Sequence, residues 1–211
     1  MGENPVTSHR ALDPRDLAKV AVFAALIAVL GLPGAIPVFG GAVPITAQTL
    51  GVMLAGAILG PWLGALSVIV FEVLVAVGLP LLSGGRGGVS VFVGPSAGYL
   101  VGWIFGAFVI GLILWSGARR PTWLRAFLAC LVGGIGVIYA IGIPVQAWVT
   151  HIGLPQTALF SLAFIPGDIL KAILAATITM LLWRAYPPAF TAYSRSRLAK
   201  AHAPDALVDS E

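Results

Sequence analysis

I-P-G-D-I-L-K, residues 165–171, opens an apolar run that continues to Trp183 and reads as the start of a membrane-length helix. Pro166 suits the first helical position, because its missing N–H would be unpaired there anyway. Asp168 then falls in the first turn, where the helix dipole favours a negative charge. Lys171 follows one turn later on the same face, so a carboxylate and an ammonium stand at i and i+3 on a helix that is otherwise almost wholly apolar. Two readings fit this stretch by itself: a polar clamp for a ligand, or a helix-end acid beside a lysine that reaches for the membrane interface.

The rest of the chain agrees with a membrane setting. Of its 211 residues, 59% are hydrophobic and 9% charged, and the mean hydropathy is +0.99, which excludes an ordinary soluble domain. The expectation is an all-α, polytopic membrane protein. The formal charge of +4 does not point to nucleic acid, since the basic residues flank apolar runs and form no patch interleaved with aromatics. The single cysteine, Cys130, excludes an internal disulfide and a multi-cysteine metal site, and reads as packing. No cleaved signal is expected, because the first apolar run is long, acids precede it, and no small-residue cleavage site follows.

Apolar runs and Gly/Pro breaks predict six helices: about 17–32, a second that starts in P-I-T-A-Q-T (44–49) and ends near Gly60, then about 62–78, 95–115, 124–149 and 166–183. The fifth is interrupted by Pro144, and 154–164 is too short and too broken to be a span. The domain reading is a cytoplasmic segment 1–16, a six-helix transmembrane substrate-binding domain 17–186, and a cytoplasmic, disordered tail 187–211.

Arginine and lysine fall before the first helix, between the fourth and fifth (Arg119, Arg120, Arg125), and after the sixth (Arg184, Arg195, Arg197, Lys200). The positive-inside rule assigns that side, and both termini, to the cytoplasm. The outer side then holds Gln48 at the start of helix two, the Gly-rich loop L-P-L-L-S-G-G-R-G-G (79–88), and the approach to Asp168. Arg86 among four glycines makes a carboxylate trap of backbone N–H groups and a guanidinium, or else an exposed turn. Glu72 lies about two turns below the outer end of helix three. A charge at a helix centre costs roughly 2.5–3.5 kcal/mol on insertion scales, so Glu72 should face the bundle interior or be protonated. Tyr99, in G-P-S-A-G-Y, offers a ring on which a ligand can stack. Residues remote in sequence thus converge at one depth, as an outward-open pocket requires.

Gly94 to Gly98 also matches G-x-S-x-G, with Ser96 as nucleophile, but that motif needs a preceding strand and a hydrolase sheet. His151 and Asp168 follow in the wrong chain order for that fold as well. Ala21, Ala24, Ala25 and Ala28 form two small-xxx-small pairs on helix one, suited either to a partner helix or to packing within the chain.

P-I-T-A-Q-T-L-G-V-M-L-A-G-A-I-L-G-P (44–61), G-L-P-L-L-S-G-G-R-G-G (78–88), G-P-S-A-G-Y (94–99) and P-G-D-I-L-K (166–171), in this order and at these spacings, resemble the BioY family. Members are the substrate-binding (S) components of energy-coupling-factor biotin transporters. The resemblance implies capture of biotin from outside, in the cell inner (plasma) membrane. It also implies partnership with a membrane-embedded coupling (T) protein and two ABC-type ATPases, which use the ATP. It implies no enzymatic activity, cofactor or metal, and the chain has no G-x-x-x-x-G-K-[ST] loop of its own. Asp168 and Lys171 match the family's D-x-x-K, which the resemblance assigns to the ureido head. Arg86 matches its loop arginine near the ligand's polar groups, and Ala21 and Ala25 match its A-x-x-x-A contact with the coupling protein. Glu72 departs from the family pattern, in which this part of helix three is uncharged or amide-bearing. A ureido group has two N–H donors and one carbonyl acceptor, so a carboxylate and an ammonium one turn apart can satisfy both ends. Arg86 and Lys171 are both available to the terminal carboxylate.

Overall fold

Helix starts in this chain are set by proline and by short polar caps. Pro14, Pro61, Pro155 and Pro166 each occupy the first or second helical position, where a missing N–H costs nothing. Asp13 accepts the N–H of Arg15 at 3.0 Å, and Thr122 that of Arg125 at 3.4 Å. The computed structural model describes residues 13–33, 46–116 and 120–191. In these lie α1 (Pro14–Val29), α2 (Gln48–Leu59), α3 (Pro61–Ala76), α4 (Ala97–Trp115), α5 (Trp123–Leu131), α6 (Ile138–Thr150), α7 (Leu154–Ser161) and α8 (Ile165–Ala185). No strand forms among the described residues; Leu82 and Arg86 make one isolated antiparallel bridge. The N-terminal segment before Asp13, the connection 34–45, Arg119, and the tail with Arg195, Arg197 and Lys200 lie outside the described residues.

Several boundaries differ from the sequence reading, each for a local reason. The first helix begins at Pro14 because Asp13 caps it. Pro144 sits inside α6 without ending it. The irregularity instead falls at V-G-G-I-G-V (Val132–Val137), a π-helical stretch that joins α5 to α6 in one run, Trp123–Thr150. Residues 154–164 are not a broken loop: α7 and a 3-10 turn (Leu162–Phe164) lead into α8, giving the helical run Leu154–Ala185. The packed body also passes residue 186, since Phe190 is fully buried with its ring 5.0 Å from that of Trp183 and 5.7 Å from that of Trp115.

Three helical runs among the described residues are long and apolar enough to cross a membrane: Ala97–Trp115, Trp123–Thr150 and Leu154–Ala185. α2 and α3 are apolar but shorter. At 1.5 Å per residue, the 12 residues of α2 reach about 18 Å, against about 30 Å of hydrocarbon core. α4 is central and packs on α2, α3, α5 and α6, while α1 lies behind α2 and α3.

α8 packs by membrane rules, with small residues inside and large ones outside. α8 buries Ala172, Ala175, Ala176 and Thr179 and turns Leu170, Leu174 and Leu181 outward. Glycine sets the closest approaches: a Cβ on Gly56 would stand 2.4 Å from the Ala107 carbonyl oxygen, and one on Gly111 2.3 Å from the Pro61 nitrogen. Gly56→Ala should therefore force α2 from α4 and cost about 1–3 kcal/mol, read as a lower unfolding temperature of purified protein in detergent. Gly94→Ala, whose nearest neighbour would be 3.7 Å away, should not. Equal unfolding temperatures for the two variants would contradict this account of the packing.

Candidate functional site

α8 begins with its acid facing inward. Asp168 Oδ1 accepts from Lys171 Nζ at 2.9 Å, and Asp168 Oδ2 accepts from the Tyr139 hydroxyl at 2.6 Å. Lys171 Nζ donates a second bond to Thr49 Oγ1 at 3.0 Å. Thus α2, α6 and α8 meet at one buried ion pair. Tyr139 is the second residue after the π-helical stretch, so the register shift made there sets the direction in which its ring enters the site. Its ring stands edge-on to that of Tyr99, 6.2 Å away at 82°. The Tyr99 hydroxyl donates to Gln146 Oε1 at 2.8 Å and lies 3.2 Å from Ser161 Oγ.

The loop between α3 and α4 forms the opposite wall. Its turn uses φ of +79° at Gly84 and +69° at Gly85, a conformation that glycine adopts without strain. Arg86 leaves this turn and donates from Nε to the Ser83 carbonyl at 3.3 Å and from Nη1 to Ser96 Oγ at 3.4 Å.

Between these groups lies a cavity that opens to the surface, enclosing about 650 Å³ when the space at its open mouth is counted. Thr46, Gln48, Thr49, Arg86, Ser96, Tyr99, Tyr139, Asp168 and Lys171 supply polar groups. Leu82, Leu100, Trp103, Ile138 and Phe164 supply apolar walls. Such a space can take a ligand with an uncharged polar head, an apolar body and an anionic group.

Five of the six residues expected at a ligand site therefore line one cavity: Asp168, Lys171, Arg86, Tyr99 and Gln48. Glu72 does not. It is buried on α3, 7% exposed, and its Oε1 has no hydrogen-bond partner among the described residues. Position along a span gives depth but not azimuth, and no residue of α3 is among those lining the cavity, because α3 packs behind α2 and α4. Ser96 belongs to the cavity as a partner of Arg86, whereas His151 is exposed at the C-terminal end of α6 and is not one of its lining residues. Ala21 and Ala25 are exposed on α1 beside Val22, while Ala24 turns into the core. Cys130 is buried, as expected.

Sequence reading missed Tyr139 and Thr49. Each carried a signal: Tyr139 is the only hydroxyl-bearing residue between 126 and 149, and Thr49 repeats Thr46 at i+3 beside Gln48.

The chain matches the model of the BioY family over residues 5–188. It is 47% identical to the biotin transporter BioY of Rhizobium etli over 181 residues, covering 83% of this chain and 97% of the relative. It is 46% identical to that of Rhodobacter capsulatus over 187 residues, covering 84% and 98%. A crystal structure of the S-component for biotin from an ECF-type ABC transporter superposes with a TM-score of 0.76 at 36% identity, covering 81% of this chain and 91% of the other.

The ion pair makes a thermodynamic prediction. Lys171→Met leaves the buried Asp168 carboxylate without its cation and should destabilise the protein by about 3–5 kcal/mol. Adding Asp168→Asn to Lys171→Met should recover much of that loss. Thermal unfolding of Lys171→Met, Asp168→Asn and the double variant in detergent measures the coupling, and a single Lys171→Met variant as stable as the double variant would rule it out.

Proposed function

The chain belongs to the BioY family, and from that premise we propose that it takes up biotin as the S component of an ECF-type transporter, binding the vitamin in the cavity between Asp168, Lys171 and Arg86. It is a membrane protein of a transport family and not an enzyme. The observation that carries the site assignment is the inward-facing ion pair on α8, with the guanidinium of a second segment on the facing wall.

An ionised carboxylate offers about four lone-pair positions. Lys171 and Tyr139 occupy one on each oxygen of Asp168, which leaves one on each for the two ureido N–H groups. Lys171 has three donors, of which Asp168 and Thr49 use two, so one remains for the ureido oxygen. The thiophane ring and valeryl chain are apolar and suit Leu82, Leu100, Trp103, Ile138 and Phe164. The terminal carboxylate falls to Arg86, whose fork pairs with a carboxylate bidentately. Tyr99 contributes its ring face.

Six spans with both termini inside are the reading given to the six helical runs α1, α2, α3, α4, α5–α6 and α7–α8, of which α4, α5–α6 and α7–α8 are each long and apolar enough to cross. Placement in the cell inner membrane is what membership of this transport family implies, and the distribution of arginine and lysine supports both termini lying inside. The partners are a coupling protein and ABC-type ATPases on other chains. Ala21 and Ala25, small and exposed on α1, are the contact surface for the coupling protein, with Leu17, Val22 and Val29 exposed around them.

Asp168→Asn removes a charge-assisted bond of roughly 1.5–3 kcal/mol, so biotin affinity should fall roughly 10- to 150-fold with folding retained. Equilibrium binding of labelled biotin to the purified protein tests both levels. Indifference of the parent protein to micromolar biotin would sink the function, and unchanged affinity in the variant would reduce Asp168 to a helix-end acid. Ala21→Trp and Ala25→Trp should abolish copurification with the coupling protein while leaving biotin binding intact.

A further inference from the structure

Gln48 stands where a ligand contact is expected, and its environment says otherwise. It is the first residue of α2 and is 1% exposed. Its Nε2 donates to the Ile27 carbonyl of α1 at 3.2 Å and to the Leu81 carbonyl at 3.1 Å, and its Oε1 accepts the Ser83 N–H at 3.0 Å. A carboxamide has two N–H donors, and both are spent on main-chain carbonyls. The amide reads a carbonyl and an N–H two residues apart on one edge of the loop, as a neighbouring β-strand would.

The next contacts in the loop continue this anchoring. Leu82 and Arg86 exchange main-chain bonds in both directions, at 3.0 and 3.2 Å, so the backbone of Arg86 is fixed to residue 82. Residues 81 and 83, on either side, are fixed to Gln48. A second, independent feature marks the same junction. Gly31 follows α1, and a Cβ there would lie 2.8 Å from the Leu81 oxygen and 3.0 Å from Gln48 Nε2. The amide reaches both carbonyls because the chain passing over it carries no side chain.

We propose that Gln48 is a positioning residue: its amide ties the loop that carries Arg86 to the last turn of α1, and thereby sets where the guanidinium meets the ligand. This rests on the reading of the cavity as a biotin site. Loss of the tie weakens binding through Arg86 and leaves the contribution of Asp168 untouched, which a general loss of packing would not do.

The test uses the full chain in detergent. Gln48→Leu, close in volume, should speed hydrogen–deuterium exchange at the Ser83 amide at least tenfold without ligand and weaken biotin binding about tenfold. In that background Arg86→Ala should cost little further affinity, whereas Asp168→Asn should cost as much as it does in the parent. Gly31→Ala should reproduce the pattern with the amide still present, and it carries the test if Gln48→Leu does not fold. Independent, multiplicative losses for Gln48→Leu and Arg86→Ala would show a direct ligand contact instead and overturn the proposal, as would unchanged exchange at Ser83. A parent protein that ignores biotin would defeat the functional reading alone, and exchange at Ser83 would still decide the tie.

Discussion

An ionised carboxylate inside an apolar helix bundle has to be paired and hydrogen-bonded, and the site is arranged around meeting that demand for Asp168. The i,i+3 spacing supplies Lys171 from the same helix, so the neutralising charge needs no tertiary structure to be nearby. The remaining partners do need it. Thr49 comes from α2 and Tyr139 from α6, each aimed at the pair by the packing of its helix. Because every charge in the cluster already has partners, the desolvation cost is met before any ligand arrives. What a ligand finds is a set of spare lone pairs and one spare N–H in fixed positions.

The packing places the cavity where it is. With no hydrophobic drive between helices in lipid, close approach must come from small residues. Gly56, Gly64 and Gly111 bring α2, α3 and α4 to backbone contact, which leaves no room for a ligand there. α4 and α6 also meet closely, through Gly98, Gly102 and Gly142, so the cavity lies between this pair and the starts of α2 and α8, with Tyr99, Trp103, Ile138 and Tyr139 on its α4–α6 wall.

Residues whose role follows from local spacing and charge were legible in the sequence. Asp168, Lys171 and Arg86 announce themselves as ionisable groups between apolar runs, and the positive-inside rule puts them on one side. Azimuth was not legible. Glu72 has the right depth and points elsewhere, because which face of α3 meets the cavity depends on how α3 packs behind α2 and α4. Tyr139 was hidden for a related reason: the π-helical stretch before it breaks the 3.6-residue period by which a face is counted. Gln48 lines the cavity, but a polar side chain near a pocket reads the same in sequence whether it holds ligand or backbone. Only its bonding partners separate the two. Phe190 lies beyond a Pro-Pro break that reads as the end of the fold, and its burial depends on Trp115 and Trp183, the first remote in sequence.

The two polar ends of the cavity are therefore anchored in different ways. The Asp168 end is held within α8 and by side chains of α2 and α6, none of which needs α1. The Arg86 end is held through Gln48, whose amide also binds the Ile27 carbonyl, two residues along α1 from Ala25. If α1 shifts relative to α2 by more than a hydrogen bond tolerates, at least one buried main-chain group loses its partner, at about 1–3 kcal/mol. The loop and α1 are thus joined through Gln48, while the ion pair reaches α2 through the next residue, Thr49.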